Sequence, residues 1–325
     1  MSGGRLICVA PAPAIDRLEE VEALRAGAIH RPVAVTALPG GKGLNVARAA
    51  HRLGAPVTAV GFLAGHAGRW VEEALTGIGV SGRFTWVDGE TRTCVSILDR
   101  ATAELTEIYE PSPAVGAGDW EALLALLDET IASHAATTGD GTIVTISGGL
   151  PTGSPDDAFA RVVATAHAWG ARTLVDAYGP GLAAALAEHP WLVKVNTTEA
   201  AEAVGADSVG GPGAGIRDMA QALVERGAGN AVVTAGGSGS VLVGTGLELR
   251  LGPPPVRGPY PVGSGDAFLA GMAAGLAAGL GLGPAFFAGA GAAAANALVP
   301  GAGELDPDEA RRLATRIALT SAGSS

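Results

Sequence analysis

Lysine, cysteine and aromatic residues are all scarce in this chain. Only two of its 21 lysines and arginines are lysines, Lys42 and Lys194, and only 4% of its residues are aromatic. Ala, Val, Leu and Gly must therefore build the core. The two cysteines, Cys8 and Cys94, are isolated and show no metal-ligand spacing. Such cysteine usage is typical of a reducing compartment, so we expect a cytoplasmic protein.

Positive charge is also in short supply. The chain has 32 acidic residues, a formal net charge of −11 and a pI near 5.0. No strongly basic surface is expected, which argues against nucleic acid as a partner. A hydrophobic fraction of 48% over 325 residues excludes a disordered chain and predicts one large globular domain spanning residues 1–325.

One long segment, residues 267–303, lacks charge altogether. Gly271, Gly275 and Gly279 recur in it every four residues, as on the packing face of a membrane helix. We favour the alternative of two Ala/Gly-rich helices packed on a sheet, with no membrane contact. Ala and Gly are weakly lipophilic, and Gly281–Pro284 interrupts the run.

Short apolar runs alternate with amphipathic segments along most of the chain. This rhythm predicts an α/β fold with a doubly wound, mostly parallel sheet and helices on both faces. The predicted strands are Leu6–Ala10, Val57–Phe62, Thr142–Ile146, Thr173–Asp176, Leu192–Val195, Ala231–Thr234 and Ser240–Val243, and clear helices are Asp119–Ala132, Pro155–Trp169 and Ile216–Arg226.

Two regions, at about residues 16–37 and 83–110, do not follow this alternation of apolar runs and amphipathic segments. Arg83–Val87 and Thr93–Leu98 both alternate, and Asp88–Glu90 supplies a turn between them. We expect these two insertions to pair into a small antiparallel sheet that forms a lid over the main sheet. Because the apolar strands of such a lid would be half exposed, the lid is also a candidate homodimer interface.

The most informative motif is Gly263-Ser264-Gly265-Asp266, which precedes a long apolar helix. Small residues at a helix start leave backbone N–H groups free for an anion. A carboxylate at such a place is electrostatically unfavourable unless it has a chemical role, such as taking a proton from a hydroxyl that attacks a phosphate. An ordinary N-cap after a glycine turn is the alternative.

A second glycine motif, Pro39–Ala47, also opens an apolar helix. Gly40 and Gly41 would let a ligand approach the backbone, Lys42 offers an ammonium group, and Asn45 can donate and accept. The spacing is not that of a Walker A loop. Upstream, Asp16 follows the first strand, where a carboxylate can bind sugar hydroxyls. A plain glycine turn and a loop aspartate are the alternatives.

Three further positions could take part in binding. Arg92, on the predicted lid, suits phosphate recognition, although most surface arginines bind nothing. Lys194-Val-Asn196-Thr-Thr-Glu199 closes a buried strand, and its Asn and Glu could hold hydrated Mg²⁺ or simply cap a helix. The loop Thr234–Gly239 could be a hairpin turn or a nucleotide contact, and Asn296 could border an adenine or be a buried structural amide.

Taken together, these motifs resemble the PfkB (ribokinase-like) carbohydrate kinases. Pro39–Ala47 is similar to the first signature of that family and Val262–Gly271 to the second, with Lys194–Glu199 similar to its metal-associated motif. Ala12–Asp16, Gly89–Cys94, Ser147–Pro151 and Pro261–Asp266 resemble the branch of tagatose-6-phosphate kinases and 1-phosphofructokinases.

The resemblance implies a role for each motif. Asp266 would be the general base, and the N–H groups of Gly263, Ser264 and Gly265 would bind the transferring phosphoryl group. The sugar would be held by Asp16, Gly40, Gly41 and Asn45, and its own phosphate by Lys42 and Arg92. Glu199 and Asn196 would organise Mg²⁺, and ATP would lie against Lys194, Asn196, Thr234, Gly236, Gly239 and Asn296.

The expected function is therefore ATP-dependent phosphorylation of fructose 1-phosphate, tagatose 6-phosphate or fructose 6-phosphate. Ala12 and Gly149 depart from the usual Asn and Ser of this branch and leave the sugar phosphate open. Alternatives are a kinase for an unphosphorylated sugar or nucleoside, and a non-catalytic sugar-phosphate or nucleotide sensor. A nicotinamide-dependent oxidoreductase would need a Gly-x-Gly-x-x-Gly after the first strand, which is missing.

Overall fold

The strands form two sheets in the computed structural model, which describes residues 4–138, 141–205 and 215–320. A nine-stranded sheet has the order β13-β12-β11-β10-β9-β8-β1-β4-β5, and a four-stranded sheet has the order β3-β2-β6-β7. The strands are β1 (Leu6–Ala10), β2 (Ala14–Val21), β3 (Ala34–Gly40), β4 (Val57–Ala64), β5 (Ser81–Val87), β6 (Arg92–Asp99), β7 (Glu104–Tyr109), β8 (Ile143–Ser147), β9 (Arg172–Asp176), β10 (Leu192–Asn196), β11 (Asn230–Thr234), β12 (Ser240–Gly244) and β13 (Leu247–Leu251).

The main sheet is parallel from β11 to β5, and β12 and β13 add an antiparallel edge. Each predicted strand is present, so the α/β prediction is confirmed. The helices are α1 (Lys42–Arg52), α2 (Gly65–Gly77), α3 (Ala117–Thr138), α4 (Ala158–Ala168), α5 (Gly179–Ala187), α6 (Thr197–Val204), α7 (Ile216–Glu225), α8 (Ser264–Ala277), α9 (Leu282–Asn296) and α10 (Pro307–Ala314).

Both faces of the main sheet are covered. Along β1, Leu6 and Cys8 point into a core shared with α1, α8 and α9, whereas Ile7 and Val9 point into a core shared with α3, α4 and α7. A strand buried on both faces needs no polar alternation, which explains the continuous apolar runs in the sequence. The carboxyl ends of the parallel strands therefore open at one edge, where the lid meets them.

The lid differs from its prediction in two respects. Arg83–Val87 belongs to β5, which pairs in parallel with β4 at the edge of the main sheet, so the second insertion begins after Val87 and not at residue 83. The lid is also not purely antiparallel, because its central strands β2 and β6 run parallel. The alternating pattern of Arg83–Val87 fits a sheet edge with one covered face as well as it fits a lid strand.

The uncharged segment 267–303 forms α8 and α9, which lie against each other as predicted. A Cβ on Gly271 would lie 2.6 Å from the Ala288 carbonyl oxygen, and one on Gly289 would lie 2.7 Å from that of Phe268. Gly271 and Gly289 thus allow α8 and α9 to approach closely, whereas a Cβ on Gly279 would meet open space. None of the helices in the described ranges is long and apolar enough to cross a membrane.

Candidate active site

One cavity of about 850 Å³ lies between the lid and the carboxyl ends of the parallel strands. Of the sequence-predicted site residues, all but Gly40 and Asn296 line this cavity: Asp16, Gly41, Lys42, Asn45, Arg92, Lys194, Asn196, Glu199, Thr234, Gly236, Gly239, Gly263, Ser264, Gly265 and Asp266. Residues separated by up to 250 positions therefore face one space.

Asp266 lies in the first turn of α8, beneath the cavity, with 6% of its surface exposed. Gly263 precedes the helix in a left-handed conformation with φ 80°, which a glycine adopts without strain. Burial, together with the nearby Asp176 carboxylate, raises the pKa of Asp266 to about 7, while Lys42 and Asn45 act in the opposite direction. A carboxylate that titrates near neutral pH is suited to general base catalysis.

The Gly263–Gly265 turn presents backbone N–H groups beside Asp266. The prediction that all three are available needs correction, because the Ser264 N–H donates to the Pro261 carbonyl at 3.2 Å. Within the described residues, the N–H groups of Gly263 and Gly265 have no acceptor. With the helix dipole behind them, these two donors remain suited to an anion.

The half of the cavity nearest the lid is built around Asp16 on β2. Its carboxylate accepts from the Gly41 N–H and from the Asn45 side-chain amide, each at 3.2 Å. The same amide donates to Asp266 at 2.9 Å. Gly40 does not line the cavity; a Cβ there would collide with the Asp16 carboxylate. Gly40 therefore makes room for Asp16, and its predicted contact with the substrate stays a prediction.

The lid presents polar groups on its inner face. In the register of the lid sheet Asp16 lies opposite Cys94, and Cys94 lies opposite Tyr109, so all three point the same way. Arg92 shares that face and donates to the carbonyls of Ala12 at 3.2 Å and Glu110 at 3.4 Å. Its buried Nε has no partner within the described part of the chain, and no carboxylate there pairs with this guanidinium.

Both lysines lie at a carboxylate that sequence reasoning missed. The fully buried Asp176, at the carboxyl end of β9, accepts from Lys194 and, at 3.1 Å, from Lys42. Lys42 also donates to Glu199 at 2.9 Å. Burial alone would lower the pKa of Lys42, but Asp176, Asp266 and Glu199 together raise it. The sequence did carry a signal for Asp176, because this aspartate ends a predicted buried strand. Asp16 was singled out for a similar place, after β1.

Asn196 and Glu199 form a reciprocal capping box at the start of α6. The Asn196 side chain accepts from the Glu199 N–H, and the Glu199 side chain accepts from the Asn196 N–H, both at 2.9 Å. The capping alternative is thus observed. Both residues still line the cavity, and no cluster of three metal-ligating His, Cys, Asp or Glu side chains occurs in the described ranges.

The remaining half of the cavity is lined by the β11–β12 turn and by apolar groups. Thr234, Gly236 and Gly239 border it, with a short 3₁₀ turn at Gly236–Ser238. Its apolar wall includes Leu251, Val256, Ala290, Ala293 and Ile317. A glycine-edged apolar slot beside an anion site is suited to a nucleotide.

Asn296 does not line this slot, and the buried structural amide, the alternative role, is the one observed. It is fully buried, donates to the Val262 carbonyl at 2.9 Å and accepts from the Gly303 N–H at 2.8 Å. A buried amide needs hydrogen-bond partners, and here the backbone supplies them. Asn296 thereby ties the segment that leads into Gly263 to the loop after α9.

Comparison with known proteins agrees with this geometry. The family model described as "pfkB family carbohydrate kinase" matches residues 5–309. A 1-phosphofructokinase of Xanthomonas campestris pv. campestris is 36% identical over 271 residues, which are 81% of this chain and 81% of that protein.

Two solved structures of phosphofructokinase-2 from Escherichia coli are also similar, each covering 96% of this chain and 99% of the other. The complex with fructose-6-phosphate has a TM-score of 0.84 at 26% identity. The tetrameric inhibited form has a TM-score of 0.84 at 27% identity. The match of the family model over residues 5–309, together with the relative at 36% identity, shows that the chain belongs to the pfkB family of carbohydrate kinases.

Proposed function

We propose that this kinase transfers the γ-phosphoryl group of ATP to a hydroxyl of a ketohexose phosphate. Fructose 1-phosphate, tagatose 6-phosphate and fructose 6-phosphate are the candidate acceptors. The observation that carries the proposal is that Asp266, beside free N–H donors, shares one cavity with Asp16 and Asn45, which we assign to the sugar, and with the glycine-edged apolar slot, which we assign to the nucleotide. The 1-phosphofructokinase relative and the phosphofructokinase-2 complex with fructose-6-phosphate favour this class of acceptor.

In the proposed reaction, Asp266 accepts the proton of the sugar hydroxyl as its oxygen attacks the γ-phosphorus. The bond between the γ-phosphorus and the β,γ-bridging oxygen breaks, and ADP leaves. The N–H groups of Gly263 and Gly265 would stabilise the charge on the transferring group, as preorganised dipoles do in phosphoryl transfer. Asp16 and Asn45 would orient the sugar through its hydroxyls, so that the acceptor oxygen meets Asp266.

Arg92 is the group that we assign to the phosphate already on the substrate. It lies on the inner face of the lid, its Nε is buried without a partner in the described residues, and a guanidinium matches phosphate geometry. Lys42 is less available, because Asp176 and Glu199 already hold it. Its predicted contact with the substrate phosphate would require these ion pairs to rearrange.

The cavity residues fit Mg²⁺ only as an ion that keeps water and phosphate ligands. Glu199 reaches the cavity while capping α6, with Asn196 beside it, and there is no three-ligand cluster in the described part of the chain. Mg²⁺ commonly binds proteins through one or two carboxylates plus waters and phosphates. When bound, the ion would neutralise charge on the ATP phosphates, held by Glu199 and Asn196 through water.

The outer face of the lid supports a homodimer. Val35 on β3 and Ile108 on β7 are about half exposed, and the sheet register places both on the face opposite Asp16, with Val95 and Ile97 between them. On β2 the same face carries the Arg17–Glu19 ion pair, so it is a mixed face whose exposed apolar side chains favour a cover. A second copy of the chain would cover this face. The cytoplasmic location predicted from the cysteines is compatible with such a dimer.

A coupled assay of ADP release tests the proposed function. The purified protein is screened with ATP, Mg²⁺ and a panel of fructose 1-phosphate, fructose 6-phosphate, tagatose 6-phosphate, ribose and adenosine. We expect turnover with one or more ketohexose phosphates and at least 100-fold lower kcat/KM with ribose and adenosine. Preference for ribose or adenosine would contradict the assigned acceptor, and no ADP release with any acceptor would favour a sensor.

A further inference from the structure

Arg48 is a buried cation that lies outside the cavity and has no place in the reaction described so far. It is on α1, one turn after Asn45, and only 1% of it is exposed. Burial of a guanidinium is costly unless every N–H finds an acceptor. A residue that cannot touch the substrate, yet is buried with its charge beside the site, calls for an explanation.

Each nitrogen of the Arg48 guanidinium has a defined acceptor. Nε donates to the Pro39 carbonyl at 2.7 Å, and Nη1 donates to Glu304 at 2.5 Å. Nη2 donates to the side-chain Oδ1 of Asn45 at 2.9 Å and also to the Ala302 carbonyl. One side chain thus joins the start of the first glycine motif, the sugar-binding amide and the loop after α9.

The contact with Asn45 has a consequence for its amide. Because Arg48 can only donate, it fixes the Asn45 oxygen on its own side and turns the amide NH₂ toward the two carboxylates. That NH₂ donates to Asp16 at 3.2 Å and to Asp266 at 2.9 Å. A rotated amide would place its oxygen against both carboxylates and lose both hydrogen bonds.

The loop after α9 extends the same connection to the anion turn. Arg48 holds the Ala302 carbonyl, and Asn296 holds the Gly303 N–H. A Cβ on Gly263 would lie 2.6 Å from Ala302, so Gly263 rests directly on this loop. Arg48 therefore contacts the supports of both the sugar hydrogen bonds and the phosphoryl-binding turn.

We propose that Arg48 is a positioning residue of this kinase, which acts through the Asn45 amide to hold Asp16 and Asp266 in register. The proposal rests on the proposed role of Asp266 as base. Substrate contacts are left to Asn45 itself, since Arg48 has no exposed surface in the cavity.

The groups facing Asp266 indicate how the loss of Arg48 would appear in the pH profile of kcat/KM. Asp176 from β9, Lys42 from α1 and Lys194 from β10 act on it through charge, and Asn45 acts through its hydrogen bond. The Asn45 hydrogen bond stabilises the carboxylate, so losing it raises the pKa of Asp266. The acid limb of kcat/KM would then move to higher pH.

The test compares Arg48→Met with Arg52→Met. Arg52 is the matched control, because it pairs with the same Glu304 from the exposed side and does not reach Asn45. For Arg48→Met we expect kcat with the best acceptor to fall about 10- to 100-fold and KM for ATP to change less than about twofold. The acid limb of kcat/KM should move up by about half a pH unit or more. For Arg52→Met we expect kcat to stay within about twofold of wild type, and the acid limb to stay within about 0.1 pH unit of it.

A double-mutant cycle with Asn45→Ala separates positioning from general stability. If Arg48 acts through Asn45, the double variant should be about as slow as Asn45→Ala alone. Arg48→Lys keeps the charge opposite Glu304 but lacks the planar fork, so the melting temperature should recover more than kcat. If Arg48→Met does not fold because Glu304 loses its buried partner and keeps only Arg52, the cycle is run with Arg48→Lys instead.

Additive losses of kcat in the cycle, or an unmoved acid limb despite reduced kcat, would overturn the proposal and leave Arg48 a structural residue. Unchanged kcat in Arg48→Met would overturn it as well. Failure of the proposed function looks different, since wild type itself would then show no turnover with ketohexose phosphates. Failure of Asp266 as the base would leave turnover in Asp266→Asn.

Discussion

The Lys42 ammonium bridges Asp176 and Glu199, at 3.1 Å from one carboxylate and 2.9 Å from the other. It thereby links the first glycine motif to the Asn-x-x-Glu motif, 157 residues further along the chain. Lys42 and Lys194, which also pairs with Asp176, together balance the charges of Asp176 and Glu199, so these four side chains form a charge-balanced cluster at the cavity. Its behaviour when one charge is removed can be predicted.

Removing the ammonium should leave Asp176 and Glu199 undercompensated on this side of the cavity. We expect Lys42→Met to bind Mg²⁺ alone more tightly than wild type, by about threefold or more, because attraction between opposite charges is strong at a partly buried site. Mg²⁺-dependent thermal shift without nucleotide measures this, and Arg17→Met on the outer lid face is the control. A weaker Mg²⁺ response in Lys42→Met would contradict the expected charge balance.

The pKa of Asp266, about 7, gives a pH dependence with a definite sign. A base must be ionised, so kcat/KM for the acceptor should rise with unit slope up to about pH 7 and level off above it. Because a sugar phosphate itself titrates near pH 6, the assignment needs a second observation. Lys42→Met removes a positive charge near Asp266 and should move the limb to higher pH, which a substrate titration would not do.

Asp266→Asn should separate catalysis from stability. We expect turnover to fall by at least 1,000-fold while ATP still binds. The pKa of Asp266 is raised on folding, so its contribution to stability is fully present at low pH and is lost as pH rises from about 4 to about 7.

The neutral Asn variant escapes this loss. Its free energy of unfolding relative to wild type should therefore be higher at pH 8 than at pH 5, by about 2 kcal/mol. Urea unfolding of both proteins at the two pH values checks this. An equal difference in the free energy of unfolding at pH 5 and pH 8 would mean that folding does not raise the pKa of Asp266.

Arg92→Ala tests the recognition of the phosphate on the substrate. A hydrogen bond to a charged group contributes about 1.5–3 kcal/mol, so KM for the ketohexose phosphate should rise roughly 10- to 150-fold. KM for ATP should stay within about twofold. Arg17→Ala, a lid arginine paired with Glu19 on the outer face, serves as the control. If Arg92→Ala left KM for the sugar phosphate unchanged, an unphosphorylated substrate would be favoured.

Ile108→Asp tests whether a second copy covers the lid. Ile108 is 59% exposed on β7, and a buried carboxylate at an apolar interface is strongly unfavourable. We expect wild type to sediment as a dimer or larger assembly and Ile108→Asp as a smaller species. Ile78→Asp, at 43% exposure beyond α2, is the matched control and should not dissociate. A monomeric wild type would rule out the lid dimer.

The sequence alone determined that this protein has a parallel sheet between layers of helices, and which residues supply most of the polar groups of its site. Apolar runs such as Leu6–Ala10 predicted buried parallel strands, because a strand covered on both faces has no polar side. Glycine clusters before apolar helices located the two ligand-binding turns, since only small residues leave backbone N–H groups open. These signals are local, because each of them depends only on residues that are close together in the sequence.

Tertiary structure decided which of these groups meet and what each one does. Arg83–Val87 joined the main sheet, because strand pairing depends on distant partners that an alternating pattern does not specify. Asp176 joined the site because β9 ends beside Lys42 at the start of α1, and Arg48 gained its partners where α1 meets the loop after α9. Asn296 became a backbone support. Long-range packing determines burial, and burial sets both the pKa of Asp266 and the need to pair every buried charge.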